Sequence, residues 1–280
     1  MKIAIVGLGL IGGSLAKAIK KNTEHSVYAL DIDRETITAA LSQEVIDGEI
    51  TASELSRFDM VILGLYPEPT VKFCLDNIQS FKKGGVVIDT CGIKSAIVSQ
   101  VEKPLKDADV RFVGCHPMAG REFSGFGYSI DNLFERASFI ITPTDDTAMS
   151  AVREVSQFAY DIGFAKVVMA SPEEHDRVIA FTSQLAHIVS SAYVKSPSLF
   201  DQAGFSAGSF RDLTRVAKLN EDMWTSLFML NRQPLIDEIS CIIDRLDEYR
   251  TALEAQDSAR LHELLKQGRI LKEKSNESLK

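Results

Sequence analysis

The sequence lacks an excess of positive charge, a cysteine pattern and a long apolar run, and it has a single tryptophan. Lysine and arginine number 31 against 39 aspartates and glutamates, a net charge of −8. Such a field repels nucleic acid and anionic membrane surfaces, so neither is expected as a partner, and any anionic ligand needs arginines or lysines placed locally. Cys74, Cys91, Cys115 and Cys241 are scattered with no C-x-x-C spacing. They outline neither a zinc site nor a disulfide framework, and a reducing cytoplasm is the natural compartment. No stretch of 18 apolar residues occurs, so no membrane-spanning helix is expected. No tandem repeat is visible, and Trp224 reads as a core or interface anchor.

What is present is the composition of an ordinary folded chain, 45% hydrophobic and 25% charged over 280 residues. That length suffices for one large or two ordinary domains. The organising stretch lies at the start, where the apolar run Ile3–Val6 breaks into Gly7-Leu8-Gly9-Leu10-Ile11-Gly12-Gly13-Ser14. A short buried strand feeding glycines and then a helix is the layout of a dinucleotide loop. Gly7 permits the tight turn, Gly9 lets backbone approach a pyrophosphate, and Gly12 lets the helix pack closely on the strand. The helix N-terminus adds unpaired N–H groups and the positive end of its dipole.

Glycines alone are weak support, and the context strengthens them. Ser26–Leu30 reads as a second strand ending in Asp31, where the fingerprint places a carboxylate for a ribose 2′-hydroxyl. A 2′-phosphate beside that carboxylate is repelled, which favours NAD over NADP, although Arg34 stands nearby. A signal peptide has a similar outline at Met1 to Ala18, but its apolar region does not carry four glycines or lead into a βαβ unit.

Strands then alternate with helices. Helices are expected over 34–43, 69–80, 95–105 and 147–163, and strands over 58–65, 85–89, 110–115, 138–143 and 166–169. A polar helix start is expected near Ser129 to Leu133. This order predicts an α/β, doubly wound, mostly parallel sheet, a Rossmann domain over residues 1–170. Ligands of such sheets sit beyond the carboxyl ends of the strands. The rim therefore gathers Gly7, Gly9, Leu10, Ile11, Gly12, Asp31, Tyr66, Asp89 with the Thr90–Lys94 turn, and His116. The cofactor-binding set expected from it is Gly7, Gly9, Leu10, Ile11, Gly12, Asp31 and Asp89.

After residue 170 the pattern is helical only, which predicts an all-α domain over 171–280. Ser171 and Glu174 form a capping-box signal for a helix to about Tyr193, followed by helices over 209–219, 221–246 and 257–274. Leu227, Leu230, Leu235, Ile236, Ile239, Ile242, Ile243 and Leu246 supply more apolar surface than one short core requires, so a homodimer is expected. The polar tail Lys272 to Ser278 is expected to fray.

Three constellations carry chemistry. His116, in Cys115-His116-Pro117-Met118-Ala119-Gly120, follows a strand on the cofactor side, where an imidazole suits a hydroxyl whose carbon is losing hydride. The alternative is a loop histidine capping backbone groups. His187 lies one turn from Gln184 on an apolar helix, as a ligand contact or a satisfied core histidine. Arg211 and Arg215 share a helical face, to clamp a carboxylate or to pair with Asp212 or Asp222. His175 and His25 read as structural.

Together these stretches resemble the prephenate/arogenate dehydrogenase family of tyrosine biosynthesis, over nearly the whole chain. The resemblance rests on the glycine run, His116–Gly120, Ser171-Pro172-Glu173-Glu174-His175-Asp176, the Ser183–His187 helix, and Phe210-Arg211-Asp212-x-Thr214-Arg215-x-Ala217 followed by Trp224. It implies an NAD cofactor and a cyclohexadienyl substrate, prephenate or arogenate. It makes His116 the catalytic histidine that polarises the 4-hydroxyl, and Arg215 the binder of substrate carboxylate. Arg211 becomes a basic helper, and His187, with Gln184, lies near the substrate side chain.

Two residues depart from the family pattern. A serine that assists the histidine in many members is Gly92 here, so its role passes to Thr90, Ser95 or a water. A second histidine of many bacterial members is Gln184. The end at residue 280 leaves no room for a regulatory domain or a fused mutase, so feedback by tyrosine is expected only through the substrate pocket. The rivals are a 3-hydroxyacid dehydrogenase of the 6-phosphogluconate type, weakened by Gln184-Leu185-Ala186-His187 where that class carries a catalytic lysine, and a non-catalytic dinucleotide sensor with little use for His116 and Arg215.

Overall fold

A computed structural model describes residues 1–121 and 123–277. Among the described residues eight strands form one sheet in the order β3-β2-β1-β4-β5-β6-β7-β8. They are β1 (Lys2–Val6), β2 (Ser26–Leu30), β3 (Gly48–Glu49), β4 (Met60–Leu63), β5 (Val86–Asp89), β6 (Arg111–Pro117), β7 (Ser138–Thr142) and β8 (Lys166–Met169). Pairings from β3 through β6 are parallel, β6 and β7 are antiparallel, and β7 and β8 are parallel again. The short β3 carries no periodic pattern of its own and was not expected. Among the described residues no helix is long and apolar enough to cross a membrane.

Helices α1 (Leu10–Asn22), α2 (Arg34–Ser42), α3 (Pro67–Asp76), α4 (Ser95–Asp107) and α5 (Met149–Asp161) link the strands. The strands read as unbroken apolar runs because both faces are covered. Ile3 and Ile5 join Leu15, Ile19, Val155 and Phe158 on one face. Ala4 and Val6 join Leu63, Val87, Ile97, Val101 and Phe112 on the other. The chain leaves β1 for β2 on one side and reaches β4 on the other, and that reversal opens the crevice where α/β sheets bind ligands.

In place of the helix start near Ser129, the 126–128 segment is a single 3-10 turn, followed by turns over 131–136. The reason is tertiary. Ile130 N donates to Ser14 Oγ at 3.1 Å and Lys17 Nζ donates to the Ser129 carbonyl at 2.9 Å, so the segment is pinned across α1.

The remaining helices are α6 (Pro172–Ile179), α7 (Ala186–Tyr193), α8 (Gly208–Thr214), α9 (Glu221–Leu230), α10 (Arg232–Glu254) and α11 (Ser258–Glu277). Ser171 Oγ accepts from Glu174 N at 3.1 Å, which caps α6 with one half of the expected capping box. The expected single helix to Tyr193 is continuous but widens into a π-helical turn over Ala180–Leu185, a form that often accompanies functional sites. The expected helix 221–246 is interrupted at Asn231, whose side chain is drawn inward to bond the Asp176 carbonyl at 2.8 Å. The polar tail is helical to Glu277, with Arg269 and Glu273 paired at 2.6 Å, and Ser278 lies outside the described residues.

Two compact units emerge, Met1–Arg232 and Gln233–Lys280. Residue 170 marks where the strands end, but the first unit continues past it, because Asp176 and Gln184 bind groups on both sides of that point. Within the second unit Ile236, Ile243, Leu246 and Leu253 are exposed while Leu235 and Ala252 are buried.

Candidate active site

Gly7 adopts φ +89°, and a Cβ there would lie 2.7 Å from the Gly64 carbonyl. A Cβ on Gly12 would lie 1.9 Å from the Gly7 carbonyl, so the turn and the helix close on each other only without side chains. Gly9 differs, since nothing lies within 4 Å of its Cβ position. It is also the N-cap of α1 and offers no side-chain hydrogen bond to the first turn. The open face of Gly9 and uncapped N–H groups therefore form a cradle that fits a pyrophosphate. Leu10 and Ile11 are the first residues of α1, half-buried beside it.

Asp31 accepts from Leu8 N at 2.6 Å and from Asp33 N at 2.9 Å, which ties the end of β2 to the glycine loop. The glycine fingerprint pairs a carboxylate at the end of this strand with a ribose hydroxyl. The Arg34 guanidinium, the group that could welcome a 2′-phosphate, is paired with Glu49 on β3.

Asp89 lies deeper than its position at the end of β5 suggests. It is fully buried, and its carboxylate pairs with the equally buried Lys94 and accepts from Cys91 N at 3.1 Å and Cys115 N at 3.0 Å. Lys94 Nζ also donates to the Cys115 carbonyl at 2.5 Å. Asp89 thus faces protein groups, and its place is to clamp the residue before His116 to the end of β5. A rim position read from a strand end cannot say which way its side chain points. Cys91 shares this interior, and burial first, with Asp89 adding to it, pushes its thiol up to about 12.

His116 lies within β6 opposite Ile140 on β7, not past the strand end as its position before Pro117 suggested. Its Nδ1 is 2.9 Å from Nε2 of His175, and the rings meet edge to face. His175 Nδ1 is 2.8 Å from Asp176 Oδ1. Asp176 in turn accepts from the backbone N–H groups of Lys94 and Ser95, each at 2.8 Å, so a carboxylate from α6 caps the N-terminus of α4. Burial pushes the His116 ring well below the usual histidine range, the neighbouring His175 and Lys94 push it further down, and Asp176 partly opposes them. His116 is therefore neutral at pH 7. Burial raises the Asp176 carboxyl, but bonds from His175, Ser95 and Lys94 outweigh it and leave the group below the usual carboxylate range.

His175 is the residue that sequence reasoning left aside. The signal available was its neighbour: a histidine followed by an acid in the first turn of a capped helix. Nothing local indicates a partner 59 residues earlier in the chain. The Cβ position of Gly92 lies 3.9 Å from His116 Nε2 and from Leu227 of α9, so Nε2 faces the β5–α4 loop. Two of the substitutes expected for a serine at Gly92, Thr90 and Ser95, are engaged elsewhere. Thr90 Oγ1 donates to the Leu63 carbonyl at 3.0 Å, and Ser95 bonds Asp176. Support for His116 comes instead from His175, on the opposite ring nitrogen.

The helical residues form a second cluster. His187 Nδ1 lies 3.2 Å from the Val216 carbonyl, and its ring packs on Trp224 with centroids 4.0 Å apart. Burial lowers the His187 ring below the usual histidine range, the Val216 carbonyl partly opposes this, and the Arg215 charge lowers it further. Arg215 follows the last turn of α8, Arg211 lies within that helix, and both are exposed. Gln184 is 1% exposed, accepts from Asn231 Nδ2 at 2.8 Å and reaches the Leu227 carbonyl at 3.5 Å. Its amide holds α9 to the π-helical turn and faces inward. Trp224, expected as an anchor, is a half-buried partner of His187.

Comparison with known proteins agrees with this geometry. The model of the prephenate dehydrogenase nucleotide-binding domain matches residues 15–169, and that of the prephenate dehydrogenase dimerization domain matches 171–267. The chain is 34% identical to prephenate dehydrogenase of Bacillus subtilis over 94% of its own length and 73% of the relative's. The crystal structure of prephenate dehydrogenase from A. aeolicus with hydroxyphenyl propionate and NAD+ superimposes with TM-score 0.88 at 30% identity, covering 98% of each chain. Synechocystis arogenate dehydrogenase gives 0.83 at 26% identity, over 98% of this chain and 100% of that one. With a dinucleotide cradle, a half-buried histidine pair and an arginine–histidine cluster on one scaffold, the chain belongs to the prephenate dehydrogenase family.

Proposed function

We infer that this enzyme, an NAD-dependent oxidoreductase, carries out the oxidative decarboxylation of prephenate to 4-hydroxyphenylpyruvate in tyrosine biosynthesis, with His116 as its base. The observation that carries the reading is a neutral, half-buried imidazole whose Nδ1 is already engaged and whose Nε2 faces the loop at Gly92. Gly7, Gly9 and Gly12 with the first turn of α1 hold the pyrophosphate of NAD, and Asp31 holds its ribose. When bound, NAD supplies the hydride acceptor.

His116 Nε2 accepts the proton of the substrate's 4-hydroxyl as hydride departs from the same carbon. Loss of carbon dioxide from the ring carboxylate then leaves an aromatic product. Arg215, assisted by Arg211, binds substrate carboxylate, because a planar guanidinium matches it bidentately. His187, held by Val216 and Trp224, borders the substrate side chain. Gln184 contributes at one remove by fixing α9. Residues 171–280 are assigned to substrate binding and to pairing of two copies, and tyrosine is assigned the substrate pocket as an inhibitor.

Prephenate and arogenate differ by a ketone against an ammonium on the side chain. The groups on His187 are a backbone carbonyl, an indole and the field of Arg215, and that positive field favours the uncharged ketone. The deciding experiment compares kcat/KM for the two substrates with NAD and with NADP. Prephenate with NAD is expected to be highest, and a higher value for arogenate overturns the assignment of the side-chain pocket.

A further inference from the structure

With both imidazoles neutral, the hydrogen bonds around His116 run in one consistent direction. Asp176 accepts backbone N–H groups on both carboxylate oxygens, from Lys94 on Oδ1 and from Ser95 on Oδ2. A carboxylate so occupied is an acceptor, so the 2.8 Å contact to His175 Nδ1 requires the proton on that nitrogen. A neutral imidazole with its proton on Nδ1 has a lone pair on Nε2. The 2.9 Å contact between His175 Nε2 and His116 Nδ1 then requires the proton on His116 Nδ1. His116 Nε2 is left unprotonated, and that is the nitrogen facing the loop at Gly92.

We propose that His175 and Asp176 are positioning residues that fix the tautomer of His116, with the polarity of the whole relay set by the two N–H groups at the start of α4. The proposal rests on the reading of His116 as the base. It explains how an enzyme with glycine at position 92 orients its histidine without a hydroxyl on the substrate side, since the support comes from behind the ring. It also explains why a carboxylate from α6 caps a helix of the nucleotide-binding part. The α4 N-terminus favours an ionised Asp176, and an ionised Asp176 beside two neutral rings fixes one proton arrangement along them.

The orientation is testable apart from catalysis. Full-length protein labelled with 15N in its five histidines is observed by long-range 1H–15N correlation, and His116 is assigned by the signals lost in His116→Asn. Wild type is expected to show His116 and His175 both protonated on Nδ1. Asp176→Leu removes the acceptor that holds the proton on His175 Nδ1, so both rings are expected to populate the Nε2-protonated form. With the lone pair then on the wrong nitrogen, kcat falls at least about tenfold while the Kd for NAD is unchanged.

His175→Leu is expected to lower kcat by a similar factor with little change in KM, and His175→Gln, whose amide oxygen accepts from His116 Nδ1, to restore most of it. Thermal melting of each variant separates misfolding from misorientation. An Nε2-protonated His116 in wild type, or equal kcat in His175→Leu and His175→Gln, overturns the proposal. Failure of the base reading is recognised differently: His116→Asn then keeps near-normal turnover whatever tautomer the spectra report.

Discussion

The neutral state of His116 has consequences that belong to that one side chain. Burial holds its folded-state pKa well below the ordinary value of about 6.5. The base form therefore persists through mildly acidic pH, and kcat/KM for prephenate is expected to stay level from pH 8 to about 6 and to fall only below that. The sign for stability follows from the same shift. Between the two pKa values the unfolded chain binds a proton that the folded chain does not, so stability declines as pH drops through about 6.5. His187 is lowered as well and adds to that decline. Urea midpoints at pH 8 and pH 5.5 test this, and an unchanged midpoint removes the linkage. His116→Asn is expected to leave the Kd for NAD nearly intact and to cut turnover by about a hundredfold or more. Near-normal turnover in that variant would take His116 out of the mechanism.

At the scale of elements, glycines of one loop separate into two kinds, and substitutions distinguish them. Gly12→Ala places a methyl 1.9 Å from a backbone carbonyl, so the loop or α1 must move. A lower melting temperature and lost NAD binding are expected together. Gly9→Ala meets open space, so melting of the ligand-free protein stays as in wild type while the methyl occupies the anion's place. NAD affinity is then expected to fall by about tenfold or more, a loss of at least ~1.4 kcal/mol measured by titration. Unchanged affinity in Gly9→Ala argues against the pyrophosphate cradle. The role proposed for Arg215, at the end of α8, is substrate capture, so Arg215→Ala is expected to raise the KM for prephenate far more than it lowers kcat. A kcat defect at unchanged KM would move Arg215 out of the carboxylate role.

These elements also show what the chain's own pattern can reveal. The unbroken apolar runs of β1, β4 and β5, the capping signal at Ser171 and the glycine loop are written within a few residues of where they act. Asp89 and Gln184 were legible as polar residues at telling positions, yet both turn inward: Asp89 to Lys94 and the backbone around Cys115, Gln184 to Asn231. The direction of a side chain at a strand end or a widened helical turn depends on neighbours brought in from elsewhere. The π-helical turn itself has no local signature, and the break at Asn231 arises from bonds to Asp176 and Gln184 rather than from a glycine or proline.

For the whole molecule, the apolar residues left exposed on α10 set the expectation. Ile243 is 57% exposed, Leu246 62% and Leu253 61%, a row that water does not favour. Two copies burying these faces remove that surface, and the match of residues 171–267 to a dimerization domain agrees with it. Light scattering at micromolar concentration is expected to give twice the mass of one chain, about 62 kDa against the 30.9 kDa monomer. A monomer mass would sink the pairing. Tyrosine at millimolar levels is expected to compete with prephenate, and an absence of any competitive effect counts against its use of the pocket.

By itself the sequence determined what rests on local order: a doubly wound sheet, the glycine loop at its first strand, and a helical second half. Strand patterns, glycines and caps act on their own neighbours, so they can be read in one dimension. Tertiary structure alone decided what His116 is held by. His175 and Asp176 approach it from α6, and the α4 N-terminus that orients Asp176 comes from a third segment. Hydrogen-bond polarity is a property of groups meeting in space, and these meet only when the helices close on the sheet.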